Sequence, residues 1–337
     1  MTVQTFEKRR IGRTGLEVTT LGLGAASLAG NGSAVPTDLA RATVAHARGI
    51  GINYFDTAPQ YGLGLSEHLV GDVLREGHDG LVISTKVGRL LRSFKGERRY
   101  PHNWAHPLPF DQHYDYSYDG VMRSFEDSIQ RLGIDKVDIL YVHDIGVMTH
   151  GEEVNRGLWK QLETGGYRAL RELKDAGTIS AIGLGVNEWQ VLMDAFALGD
   201  WDVFLLAGRY TLLEQGALNP FMSTCIERGS SVVIGGPFNS GILVGGSTFD
   251  YVKAPESVVS RVAALEAVCR EFGVPLPAAA LQFPLTHPAV CNVLPGPRTP
   301  DELDGILAWW NTEIPAELWT ALADKGLLAE GTPVPGR

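Results

Sequence analysis

Eight short apolar runs punctuate this chain, each closing on a small or polar residue. They are Val18 to Gly24, Ile52 to Asp56, Leu81 to Lys86, Val137 to His143, Ile179 to Gly185, Val203 to Leu206, Ser231 to Gly235 and Val290 to Pro295. Near-continuous apolar runs of this length suit parallel strands buried on both faces. Amphipathic stretches lie between them. Helices are expected from Thr37 to Arg48, Glu67 to Arg75, Val121 to Leu132, Tyr167 to Ala176, Glu188 to Ala197, Leu218 to Arg228, Pro255 to Phe272 and Pro300 to Trp310, with a further one near Ile314 to Gly326. Val121, Phe125, Ile129 and Leu132 fall at helical spacing, and Gly177 supplies a stop. Eight strand–helix units build either a closed barrel or an open, doubly wound sheet. An open dinucleotide sheet carries GxGxxG after its first strand. Here that position reads Gly22-Leu23-Gly24-Ala25-Ala26-Ser27, without the third glycine. The expected class is therefore α/β, a (β/α)8 TIM barrel forming one domain over residues 1–337. Phe6 to Arg10 and Leu16 to Val18, joined through Gly12 and Gly15, predict a β-hairpin capping the barrel bottom.

Composition narrows the function classes. Hydrophobic residues make up 44% and charged residues 20% of 337, which excludes disorder as the main state. Net charge is −10, and the densest basic groups are Lys8-Arg9-Arg10 and Arg98-Arg99. Nucleic acid is not an expected partner, because phosphate backbones need a clustered positive face. Cys225, Cys269 and Cys291 are far apart, with no CxxC pair, so neither a disulfide framework nor a metal is expected. Met1 to Arg13 is polar, no run of about 18 apolar residues occurs, and a cytoplasmic protein without a membrane anchor is expected. Two long connections, Gly88 to Ser117 and Gly236 to Ala254, follow the third and seventh strands. In a barrel both lie over the C-terminal face, where active sites sit. The second opens Gly235-Gly236-Pro237-Phe238-Asn239-Ser240-Gly241, whose backbone N–H groups suit phosphates.

The strand ends carry chemistry. Asp56 closes the second strand, Lys86 the third and His143 the fourth, and Tyr61 follows five residues after Asp56. A tyrosine phenol near pKa 10 is a poor proton carrier at neutral pH, and a neighbouring ammonium lowers that value. An aspartate beside the lysine holds it charged, and a histidine completes a hydrogen bond to a substrate oxygen. Each group alone has a bland reading: a strand-end pair or cap, a turn at Asp56-Thr57, loop packing at Tyr61-Gly62. Together they form a proton-transfer site suited to hydride chemistry at a carbonyl.

These motifs resemble the aldo-keto reductase family. Phe55-Asp56-Thr57-Ala58 through Tyr61-Gly62 and Ser66-Glu67 is similar to its first signature, and Leu81 to Gly88 to its lysine strand. Ser124 to Leu132 with Val137 to His143 resembles its second signature, Ile182 to Asn187 its fifth-strand motif, and Leu294-Pro295-Gly296 with Pro300 its eighth. The resemblance implies a nicotinamide cofactor, no metal, and a catalytic tetrad of Asp56, Tyr61, Lys86 and His143 with Tyr61 as acid/base. It implies that Asn187 holds the nicotinamide carboxamide, Tyr210 stacks on the ring, Gly236, Phe238, Ser240 and Gly241 line the pyrophosphate, and Gly296 is a further cofactor-binding residue. Many NADPH-using members place an arginine where this chain has Glu302; with Arg298 nearby, both are expected at the cofactor's ribose, and NAD is expected over NADP.

A narrower resemblance joins Phe110 to Gly120, Val142-His143-Asp144, Leu206 to Gln215 and Gly235 to Leu243 to one subgroup. It contains D-threo-aldose (L-fucose) 1-dehydrogenases, L-galactose dehydrogenase and pyridoxal 4-dehydrogenase, and implies oxidation of a cyclic hemiacetal to a lactone. An aldose is the expected small-molecule substrate, with pyridoxal as alternative, and the protein is expected as a monomer or homodimer. Trp104, His113 and Tyr114 are the expected substrate contacts, with His102 in the same loop and Trp189 or Trp201 further candidates. Trp309 and Trp310 are expected to pack in the core. A cofactor-binding redox sensor like potassium-channel β subunits, and a general NAD(P)H-dependent carbonyl reductase, are the competing readings.

Overall fold

The computed structural model describes residues 4–97 and 102–336; the basic pair Arg98-Arg99 lies outside them. The eight expected strands form one parallel sheet. They are β1 (Leu23–Gly24), β2 (Tyr54–Asp56), β3 (Val82–Val87), β4 (Ile139–His143), β5 (Ala181–Val186), β6 (Val203–Ala207), β7 (Ser231–Gly235) and β8 (Val290–Leu294). Each pairs with the next in chain order. β8 returns to the start: Leu21 bridges Val293, and Gly22 N donates to Val293 O at 3.0 Å while Val293 N donates to Thr20 O at 2.8 Å. The sheet is thus almost closed as a barrel.

The first expected strand divides. Glu17–Thr19 pairs with Lys8–Arg10 as the capping hairpin, and only Leu21 to Gly24 joins the barrel. The switch is fixed by Asn53, whose Oδ1 accepts from Thr19 N at 2.6 Å. Ile11 and Val18 from this hairpin are buried with Tyr54, Val82, Ile139, Tyr141, Val203, Val233 and Cys291, which fill the barrel interior from its bottom. A second, larger shell packs helix faces on the strands' outer sides.

Register sets the site. Asp56 lies beside Ser84, Lys86 beside Tyr141 and His143 beside Gly185. Because side chains alternate along a strand, Tyr54, Asp56, Ser84, Lys86, Tyr141 and His143 all share the inward face.

Several helices match the spacing: Thr37–Gly49, Leu65–Leu74, Tyr118–Leu132 and Pro300–Trp310. Ser117 caps the third, accepting from Gly120 N at 3.2 Å. Helices Val147–Gln161 and Leu276–Gln282 lie outside the expected set. The connection after β3 is not irregular throughout: Arg89–Arg92 and Asp111–Tyr114 pair as an antiparallel hairpin. Beyond β7 a turn at Asn239–Val244 leads to a small hairpin, Thr248–Phe249 with Val252–Lys253. Trp309 packs on Phe238 and Trp310 on Phe6, in line with the core expectation.

Candidate active site

At the C-terminal mouth the four strand-end groups meet. Lys86 Nζ donates to Asp56 Oδ2 at 2.6 Å and to Thr57 O at 2.9 Å. It stands 4.8 Å from the centroid of the Tyr61 ring. The Tyr61 and His143 rings meet edge-on, centroids 5.8 Å apart. Asp56, Lys86 and His143 are buried. Tyr61 arrives on the short turn Tyr61–Gly64, where Leu63 is held in the left-handed region and Leu108 N donates to Gly62 O at 3.0 Å.

The electrostatics correct one expectation. The Tyr61 phenol is held well above its ordinary value, first by burial, then by Asp56, Asp144 and Tyr251, with Arg89 pulling it down. Burial and the acidic neighbours outweigh the Arg89 guanidinium, so the resting side chain is the phenol. The Asp56 carboxyl is raised by burial, against which Lys86 and Ser84 act. His143 is pushed well below the usual imidazole range by burial, then by Arg89 and Lys86, and is neutral at physiological pH.

A cleft of about 500 Å³ opens over these groups, lined also by Gln60, Asn31, Trp104, Asp144, Asn187 and Tyr251. Trp104 lies 5.9 Å from Tyr61 between ring centroids, and its segment is tied across the mouth by a bridge to Asn31. His102 and Asn103 line the same wall. The other expected substrate contacts fall elsewhere. His113 sits in the hairpin opposite Leu90, and Tyr114 packs against Tyr116, His150 and the Arg89 guanidinium, both outside the cleft lining. Trp189 caps a helix start, and Trp201 is buried with its Nε1 donating to Ala195 O at 2.8 Å.

Asn187 reaches the cleft from the end of β5, its Nδ2 donating to Asp144 Oδ1 at 3.3 Å and its Oδ1 accepting from Tyr251 at 3.4 Å. Tyr210 does not reach it: the ring is fully buried between Phe283 and His287. The turn after β7 holds Gly236, Asn239, Ser240 and Gly241 in left-handed conformations, and Asn239 offsets its strain by accepting from Thr211 at 2.6 Å and donating to Gly208 O at 3.0 Å. Asn239 N and Gly241 N donate inside the turn, to Gly236 O and Phe238 O at 3.0 Å each, and the concave backbone around them suits an anion. Across from it Gly296 follows β8, where a Cβ would stand 2.8 Å from Ser27 Oγ. These residues fit a dinucleotide's phosphates. Further out, Arg298 Nε lies 3.3 Å from Glu302 Oε1, and its Nη1 donates to Ser33 Oγ at 2.9 Å.

Sequence reasoning missed a buried ion pair at this wall. Arg89 Nη2 donates to Asp144 Oδ2, and that carboxylate also lies 3.5 Å from His143 Nε2. Its signal was present in Val142-His143-Asp144, where a second ionisable group directly follows the strand-end histidine.

Barrel, polar mouth and phosphate-fitting turn together define an NAD(P)-dependent oxidoreductase. The chain belongs to the aldo/keto reductase family, whose model matches residues 20–326. It is 47% identical to pyridoxal 4-dehydrogenase of Microbacterium luteolum, over 98% of this chain and 100% of that one. It is 36% identical to D-threo-aldose 1-dehydrogenase of a Pseudomonas species, over 93% of this chain and 96% of that one. In fold it is similar to an aldo-keto reductase from Bacillus halodurans in its holo form, with TM-score 0.73 and 24% identity over 96% and 97% of the two chains. Among the described residues, no three metal-ligating side chains cluster, and no helix is long and apolar enough to cross a membrane.

Proposed function

We propose that this protein oxidises the cyclic hemiacetal of pyridoxal to its lactone with NAD. The 47% identity to pyridoxal 4-dehydrogenase along 98% of the chain carries the choice of substrate. It reverses the order expected from motifs alone, which placed an aldose first. The aldose remains the second reading, on the 36% identity to D-threo-aldose 1-dehydrogenase.

NAD would supply the hydride acceptor for the hemiacetal carbon. Tyr61, as phenolate, takes the hydroxyl proton as the carbonyl of the lactone forms. The Lys86 ammonium, held by Asp56 and Thr57 O, faces the Tyr61 ring and stabilises that phenolate. Neutral His143 hydrogen-bonds the substrate oxygen and orients it, and Trp104 offers its face to a flat ring. Asn187 would hold the carboxamide of the bound nicotinamide, and the turn at Gly236, Phe238, Ser240 and Gly241 with Gly296 would receive its phosphates. Glu302 pairs with Arg298, which weakens that guanidinium's pull on a 2′-phosphate and favours NAD.

The test is NADH formation with pyridoxal and with a panel of aldoses. Pyridoxal is expected to give the highest kcat/KM, and Tyr61→Phe to lower kcat by at least about 100-fold while NAD still binds. Faster turnover of an aldose replaces the substrate. NAD binding with no turnover of any hemiacetal makes the chain a cofactor-binding protein instead.

A further inference from the structure

Beneath the tetrad, inside the barrel, lies a row of hydroxyls that the proton transfer does not touch. Ser84 Oγ donates to Asp56 Oδ1 at 2.7 Å. Ser84 Oγ and Tyr54 OH are 3.0 Å apart, and Tyr54 OH and Tyr141 OH are again 3.0 Å apart. The four residues come from three adjacent strands, β2, β3 and β4, and the three hydroxyl-bearing side chains are fully buried.

Proton counting fixes the direction of this row. A carboxylate has no proton to give, so Ser84 spends its single proton on Asp56. Ser84 therefore accepts from Tyr54, and Tyr54 in turn accepts from Tyr141. Every hydroxyl dipole points at Asp56, and donors in series polarise one another. Burial holds the phenols of Tyr54 and Tyr141 well above their ordinary range, so their protons remain in place.

We propose that Tyr141, Tyr54 and Ser84 form a one-way donor chain that keeps Asp56 ionised, and so keeps the proton on Lys86 beneath Tyr61. The three are positioning residues. Asp56 has two oxygens: Oδ2 takes Lys86 and Oδ1 takes the chain. With Oδ1 left bare in the barrel interior, the desolvated pair relaxes by passing the Lys86 proton to Asp56. Lys86 becomes an amine, and the Tyr61 phenolate loses the cation beside it.

The inference rests on the reading of Tyr61 as proton carrier, and the experiment separates the two. The pH dependence of kcat/KM for hemiacetal oxidation is measured for wild type, Ser84→Ala, Tyr54→Phe and Tyr141→Phe, with NAD affinity followed by fluorescence titration. Ser84→Ala is expected to move the rising limb upward by about one pH unit and to lower kcat about tenfold at neutral pH, with NAD affinity unchanged. Tyr54→Phe leaves Ser84 in place and gives a smaller shift, and Tyr141→Phe the smallest. That graded order supports the chain. Loss of melting temperature in all three with the limb unmoved makes the hydroxyls mere packing and overturns it; so does a limb moved equally by all three. Turnover retained in Tyr61→Phe defeats the proton-carrier reading itself, whereas an inactive Tyr61→Phe beside unmoved limbs defeats only the chain.

Discussion

At the residue scale, one burial gradient decides which group carries which proton. Tyr61, Asp56 and His143 all shift toward their neutral forms, and burial is the first cause in each. For hydride removal this has a definite sign. The working form of Tyr61 is the phenolate, and its raised pKa makes that form scarce at neutral pH. Oxidation is therefore expected to accelerate as pH climbs through the alkaline range, while the reverse reduction, which uses the phenol, stays flat. His143 adds no limb near pH 6.5, because it is already neutral there. Initial rates in both directions from pH 6 to 10 check this; an oxidation rate that is level above pH 7 contradicts it. The Arg89–Asp144 pair belongs to the same picture, since it places a cation that lowers, and an anion that raises, the Tyr61 phenol.

Elements show where the sequence spoke clearly. Each barrel strand fell within an expected run, because strands buried on both faces leave a near-continuous apolar signature, although only the second half of Val18 to Gly24 joined the sheet. The convergence of Asp56, Lys86 and His143 followed from their place at strand ends. The helix Val147–Gln161 was not legible, since Gly146, Gly151 and Gly157 dilute its pattern. The glycines just beyond it have a reason to be small: a Cβ on Gly166 would stand 2.2 Å from Tyr116 O, and one on Gly165 2.9 Å from Tyr118 N. Tyr210 was misplaced because position in a motif does not say which way a loop side chain turns; here it turns into the core against Phe283. The helix Pro300–Trp310 offers a test of cofactor choice. Thr299 Oγ1 accepts from Glu302 N at 3.2 Å, and Glu302 Oε2 accepts from Arg298 N, one residue before the cap, at 2.8 Å, so the side chain also ties down the helix start. Glu302→Gln keeps that cap and removes the charge that occupies Arg298. The NAD:NADP ratio of kcat/KM is expected to fall about threefold, the equivalent of about one exposed ion pair, with melting temperature unchanged. A ratio that stays put places Arg298 away from the ribose.

Across the whole molecule, the barrel buries histidines far apart in sequence, and this couples its stability to pH. His143 ends β4, His150 lies on the following helix with its Nε2 3.2 Å from Tyr116 OH, and His287 precedes β8. Burial depresses all three: His143 well below 6.5, His150 and His287 to about 4. An unfolded imidazole titrates near 6.5, so below that pH the unfolded chain binds protons that the barrel refuses. The stability from burying them neutral is complete above about pH 6.5 and drains away as pH falls toward 4. Asp56 acts with the opposite sign, because its carboxyl is raised in the folded state and takes up a proton before the unfolded one does. Glu188 and Glu214 are raised by burial as well and act with Asp56. The imidazoles begin to charge in the unfolded chain near pH 6.5, above the ordinary carboxyl range, so acidification from neutrality is expected to cost stability first. Each unmatched proton is worth about 1.4 kcal/mol per pH unit. Urea unfolding followed by tryptophan fluorescence between pH 7.5 and 4.5 is expected to show the midpoint falling steadily below pH 6.5. His287→Asn, away from the catalytic mouth, is expected to flatten that fall without moving the pH profile of turnover. A midpoint constant over the whole range places these imidazoles in contact with water and removes burial as the cause of their shifts.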